Sequence, residues 1–311
     1  MRCTEVKSHP AWHPETRAGP SDPAQSCRTA ASLLAADPVQ STIPIDVVLV
    51  AGQSNAVGCD SDPDLLPMDA RDREVLFWWR CGDPPPDDHD SNSGGSWTYL
   101  QSQPKGDPLH PSAKDRRWGN FNSDKGGFGP EIGLARTMVG LGRGPIAIVK
   151  VAFTGTGLNR DWNPRSDGPS GACYRSFVGE SRKAVAALQL MGYAPTLRAV
   201  AWVQGENDCT QWDADRYQVR MAEFISALRS DLGAPGLFVL MGFNAKFAAP
   251  GYPAAMTVVA AQKAIARTVT HCVYVDTDGA TLKNGYHFDS AGNLEVGRRF
   301  ALALISAEDA R

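Results

Sequence analysis

Four short stretches of this 311-residue chain carry residue types that a hydrolase uses. In Gly52-Gln53-Ser54-Asn55 a glycine ends the apolar run Val48-Leu49-Val50-Ala51, and a serine stands on the turn that follows. Its hydroxyl therefore falls at the rim of a buried strand, on the turn into the next element. Its own N–H is also free there, because the first residues of a helix have no earlier carbonyl to bond. The competing reading is a helix cap, a role that Ser and Asn often fill. A second strand candidate, ending Lys150-Val151-Ala152-Phe153, runs into Thr154-Gly155-Thr156-Gly157, where glycine lets the backbone approach a ligand and offer an N–H to an oxyanion. A third, Ala201-Trp202-Val203, runs into Gln204-Gly205-Glu206-Asn207-Asp208, with more polar groups than capping needs. The fourth, Asn284-Gly285-Tyr286-His287-Phe288-Asp289, sets a histidine just before the last helical stretch. His9, His13 and His110 lie in Pro-rich segments and His89 in an acidic loop, so His287 stands apart from them.

These stretches need elements that hold them together. Strands are predicted at Asp46–Ala51, Val75–Trp79, Ile146–Ala152, Leu197–Gln204, Leu237–Met241 and Cys272–Val275. Most are continuously apolar, as strands covered on both faces are. Helices are predicted at Tyr174–Met191, at Asp215–Leu232, after Gly129-Pro130-Glu131 and from Ser290 onward. Strand and helix in alternation imply right-handed crossovers, hence a three-layer α/β/α sandwich with a central parallel sheet. Ligands of such a sheet sit beyond the carboxyl ends of its strands.

Taken in order, the four stretches resemble the SGNH hydrolases, and among them the sialate O-acetylesterase and acetyl-xylan-esterase branch, carbohydrate esterase family 6. The residues that carry the resemblance are Gly52-Gln53-Ser54-Asn55, Gly155-Thr156 with Leu158 and Trp162, Gln204-Gly205-Glu206-Asn207-Asp208, and Gly285-Tyr286-His287-Phe288. Gly129-Pro130-Glu131 and the tail Leu294-Glu295-Val296-Gly297-Arg298-Arg299 add to it, so that it spans roughly Ile43 to Ile305. The resemblance implies the flavodoxin-like SGNH fold, with Ser54 as nucleophile and His287 as general base. It implies an oxyanion hole made by the N–H groups of Ser54 and Gly155 and the side chain of Gln204, each donor typically worth ~3 kcal/mol of barrier.

One position departs from the pattern. The family's last block usually reads Asp-x-x-His, and here Asn284 stands in the place of the Asp. A neutral amide can hold an imidazole but cannot stabilise an imidazolium by charge. Glu206 is the first candidate to supply that charge, ahead of Asp276, Asp278 and Asp289. Otherwise Asn284 orients a Ser54–His287 dyad. The implied activity is a serine carboxylic-ester hydrolase that removes small acyl groups, acetyl above all, from a decorated carbohydrate, with no cofactor and no metal. Two other readings stay open: a lipase- or thioesterase-like SGNH enzyme, and a carbohydrate-binding protein with a degenerate site.

Composition narrows the partners. A formal net charge of −3 with 21% charged residues offers no cationic surplus for nucleic acid. No apolar run reaches the ~20 residues of a membrane-spanning helix. Seven cysteines include no C-x-x-C pair, which argues against zinc. Cys59 and Cys81 fit either a disulfide in an exported protein or two buried thiols, so compartment and oligomeric state stay open. Residues 1–42 are expected to be a flexible leader, and 43–311 the esterase domain with a long loop insertion at 82–129. In that loop Trp97, Tyr99, Trp118 and Phe121 are either a wall for sugar or packing. Its stretch Asp83-Pro84-Pro85-Pro86-Asp87-Asp88-His89-Asp90 fits no EF-hand and reads as a solvated acidic loop.

Overall fold

The computed structural model describes residues 42–106 and 121–310. The expected leader, save its last residue, and Trp118 lie outside the described residues.

The apolar runs form one sheet. Its parallel strands are β1 (Ile43–Gly52), β2 (Val75–Gly82), β5 (Ile146–Phe153), β6 (Tyr193–Val203), β7 (Phe238–Gly242) and β8 (Cys272–Tyr274). They lie in the order β2-β5-β1-β6-β7-β8. Without β2, the rest run second, first, third, fourth, fifth in chain order, which is the flavodoxin arrangement. β2 is an addition at the outer edge of β5. The short strands β3 (Ser91–Asn92) and β4 (Thr98–Tyr99) pair with it antiparallel. The insertion at 82–129 is thus partly an extension of the sheet rather than loop throughout.

Side chains alternate along each strand, and both faces are covered. Val47, Leu49 and Ala51 belong to one core, Val48 and Val50 to the other. The first is closed by α3 (Ala172–Leu190), α4 (Gln211–Asp231) and α5 (Ala255–Thr268), through Phe177, Phe224 and Ile265 among others. The second is closed by α2 (Glu131–Gly140) and α6 (Ser290–Asp309), through Ile132 and Phe300. At ~1.5–3 kcal/mol for each fully buried aliphatic or Phe side chain, this two-sided burial is why the strands read as unbroken apolar runs. The sequence patterning missed α5, whose buried stripe includes Gln262 among small alanines and so dilutes the apolar signal.

The chain order reverses between β1 and β6, and the crevice beyond that switch point is where such sheets bind ligands. Gly52 makes the approach of the two strands possible. Its φ is +139°, and a Cβ there would lie 2.1 Å from the Val203 carbonyl oxygen. Only glycine lets β1 end so close to β6 before the chain turns.

Candidate active site

Ser54 opens α1 (Ser54–Val57), a single turn that follows β1 directly. Its Oγ lies 3.0 Å from Nε2 of His287, and Nδ1 of the same ring lies 2.7 Å from Oδ2 of Asp60. The three side chains form one hydrogen-bonded line from hydroxyl to carboxylate. Asp60 reaches the ring because α1 stops at Gly58, whose φ of 82° turns the chain back. The loop carrying His287 is brought in by Asn55, whose Oδ1 accepts from the Phe288 N–H at 3.0 Å while its Nδ2 donates to the Tyr286 carbonyl at 3.1 Å.

The carboxylate against the imidazole is therefore not the one expected. Glu206 is buried, and its Oε1 accepts from Asn55 Nδ2 at 2.6 Å and from the Asn244 N–H at 3.2 Å. Burial pushes its carboxyl upward, which makes it a poor counter-charge for an imidazolium. Its contacts serve position instead: Asn244 Nδ2 also donates to the carbonyls of Gly285 and Tyr286, at 3.2 and 3.3 Å. Glu206 thus orients the Asn55 amide and anchors the Asn244 main chain, and the side chains of both clamp the histidine loop.

Asp276, Asp278 and Asp289 have other partners. Asp289 caps α6, accepting from the Gly292 N–H at 2.7 Å. Asp276 accepts from the Asp278 N–H at 3.0 Å, and Asp278 pairs with Lys246.

Asn284 does not meet the ring either. Its Oδ1 accepts from the N–H groups of Tyr286 and His287, at 2.8 and 2.9 Å, and its Nδ2 donates to Asp60 Oδ2 at 2.7 Å. Asn122 Nδ2 donates to the other carboxylate oxygen. The His287 hydrogen bond, helped by those of Asn122 and Asn284 and opposed by burial, holds Asp60 at about 2 against its usual 3.8. It stays ionised beside the ring over the whole neutral range. A carboxylate six residues past the serine carries no motif, but Asp60, Asp62 and Asp64 alternate there and were the available signal.

A cavity of about 440 Å³ opens over Ser54. Gly155 lines it, with φ +63° and open space where a Cβ would stand. Gln204, expected as the side-chain donor to an oxyanion, does not face it. That side chain is fully buried, and its Nε2 donates to the Thr156 carbonyl at 3.2 Å and to Asp208. Asn207, three residues on, lines the cavity instead. Gln53 fixes that turn, its Oε1 accepting from the Asn207 N–H at 3.1 Å.

Of the two readings open for the insertion's aromatics, a sugar wall is not the one found for those described. Trp97 donates to the Ala184 carbonyl of α3 at 3.1 Å, Phe121 is fully buried, and Tyr99 is exposed on β4. None of the three lines the cavity. The acidic stretch is not solvated throughout, since Asp90 is buried against Arg80 at 2.8 Å. Among the described residues no group of three His, Cys, Asp or Glu side chains is arranged for a metal ion, and no helix is long and apolar enough to cross a membrane. Cys59 and Cys81 are buried thiols.

The fold has counterparts among solved structures. A protein from Arabidopsis thaliana aligns with a TM-score of 0.59 at 22% identity, over 85% of this chain and 98% of its own. NanS aligns with a TM-score of 0.58 at 19% identity, over 87% of this chain and 99% of its own. A carbohydrate acetylesterase from Xanthomonas citri aligns with a TM-score of 0.50 at 18% identity, over 86% of this chain and 57% of its own. No curated protein matches the sequence. The sheet, its flanking layers and its four blocks define a carboxylic ester hydrolase of the SGNH type. Residues 44–306 match the family described as carbohydrate esterase, sialic acid-specific acetylesterase, and the chain belongs to that family.

Proposed function

We propose that the protein removes acetyl groups from an acetylated carbohydrate through an acyl-enzyme on Ser54. The line Ser54–His287–Asp60, with contacts of 3.0 and 2.7 Å, carries this reading. With Nδ1–H donated to Asp60, Nε2 is left as an acceptor and takes the Ser54 proton as Oγ attacks the ester carbonyl. Charge builds on the carbonyl oxygen, where the N–H groups of Ser54 and Gly155 and the amide of Asn207 are the available donors. As the tetrahedral intermediate collapses, the C–O bond breaks and the imidazolium returns its proton to the departing alcohol. Water then enters by the same base, and acetate leaves. Asp60, ionised throughout, stabilises the imidazolium formed in each half-reaction.

A degenerate binding site would need no charge at the ring, and Asp60 supplies one. The amides of Asn122, Asn207 and Asn284 around the cavity favour a sugar over a lipid chain. Ser54→Ala should abolish hydrolysis of vinyl acetate with an unchanged melting profile, and brief reaction of the parent enzyme should leave an acetyl group on the peptide carrying Ser54. Turnover persisting in Ser54→Ala would remove the reading.

A further inference from the structure

The chemistry assigns sides to the cavity. The ester carbonyl must point toward Gly155 and Asn207, where the donors are. The alcohol oxygen must come within hydrogen-bond reach of His287 Nε2, since that nitrogen returns the proton to it. The sugar that owns this oxygen therefore lies on the histidine side. There the lining changes character: Tyr286 and Phe247 stand together, ring centroids 5.7 Å apart at 61°, and the Tyr286 ring lies 6.5 Å from the imidazole.

Phe247 is half-buried against the edge of the first core, but Tyr286 belongs to neither core. Tyr286 is 41% exposed, beside the catalytic ring. Its main chain is nevertheless tightly held, because its carbonyl accepts from both Asn55 and Asn244. Phe247 hangs from the same anchor, its N–H donating to the Asn244 carbonyl at 2.9 Å, and its far edge is braced by Tyr252 at 5.7 Å. The main chain under both rings is thus set before any ligand arrives, which lowers the ordering cost of binding. A pyranose offers them one face of C–H groups, weakly positive and apolar, that fits the negative face of an aromatic ring.

We infer that Tyr286 and Phe247 form the platform for the pyranose ring that bears the ester, so that the enzyme selects its alcohol by stacking; this rests on the esterase reading above. The wall is supplied by the loops after β7 and before α6, not by the insertion's aromatics.

The test compares two acetyl esters that share the acyl half: vinyl acetate, which has no ring, and a mono-acetylated methyl xyloside. The readout is the ratio of kcat/KM for the glycoside over vinyl acetate, in which any loss of folded enzyme cancels. Tyr286→Ala should lower this ratio about tenfold or more, chiefly through KM, and Phe247→Ala should lower it in the same direction. Tyr286→Phe, which keeps the ring, should restore it. An unchanged ratio in Tyr286→Ala, or a parent enzyme with no preference for the glycoside, overturns the platform while Ser54→Ala remains inactive. Full vinyl acetate turnover in Ser54→Ala would overturn the esterase reading itself, and the platform with it.

Discussion

Asn284 Nδ2 and His287 Nδ1 meet the same oxygen of Asp60, each at 2.7 Å. This shared contact explains why an amide suits a position where the family usually carries a carboxylate. Asn284→Asp would set two carboxylates within hydrogen-bond distance, and like charges so close cannot both stay ionised. We expect kcat on acetyl esters to fall about tenfold or more. A rise in kcat would mean that the family residue is the better partner for the ring and that Asp60 is secondary.

Asp60→Asn removes the charge and keeps the shape. By the general behaviour of such lines, kcat should drop by roughly 10³–10⁴. The same substitution should alter the acid limb of stability. Asp60 is held at about 2 in the folded protein against 3.8, so its ionised form stabilises the fold above pH 3.8, and that contribution disappears as pH falls through about 2. Thermal melts of parent and Asp60→Asn should therefore differ at neutral pH and converge toward pH 2. A constant difference across that range would contradict the assignment.

Glu206 is expected to act through position, not charge. Glu206→Gln keeps an oxygen for Asn55 and Asn244, and kcat should stay within about threefold. Glu206→Ala frees the Asn55 amide and the Asn244 main-chain N–H and should lower kcat by ~100-fold, because the loop bearing His287 loses its register with Ser54. If the glutamine variant were as damaged as the alanine one, the charge would matter after all.

The oxyanion donor separates Asn207 from Gln204. Asn207→Ala should cost ~10²–10³ in kcat with KM little changed. Gln204→Leu should act mainly on stability, since it takes from the Thr156 carbonyl its side-chain donor and leaves buried Asp208 only the Leu158 N–H, at about 1–3 kcal/mol. Urea unfolding and steady-state rates on the two variants distinguish these effects, and the reverse pattern would restore Gln204 to the hole.

Beneath α1, Lys150 and Glu131 form a fully buried pair at 2.9 Å, and Lys150 also donates to the Val57 carbonyl at 2.8 Å. Removing one partner strands the other, so Lys150→Met should lower unfolding free energy by about 3–5 kcal/mol. Replacing both with apolar residues should recover most of it, a comparison that chemical denaturation can make. Equal losses in single and double variants would show that the pair is not the source.

The sequence by itself determined the six parallel strands, four of the flanking helices and the rim on which Ser54, Gly155 and His287 meet. Each of these is a local matter: two-sided burial writes itself as an apolar run, and a turn after a strand writes itself in glycine. What the tertiary structure decided is which side chains face the serine across long stretches of chain. Asp60 and His287 are 227 residues apart and Asn55 and Glu206 are 151 apart, and no spacing rule links such pairs. Gln204 and Asn207 are near neighbours, yet one turns into the core and the other into the cavity, because Gln53 and Asp208 hold the turn between them. Direction is set by these packed contacts, so the inventory of polar residues was legible in the chain while their pairing was not.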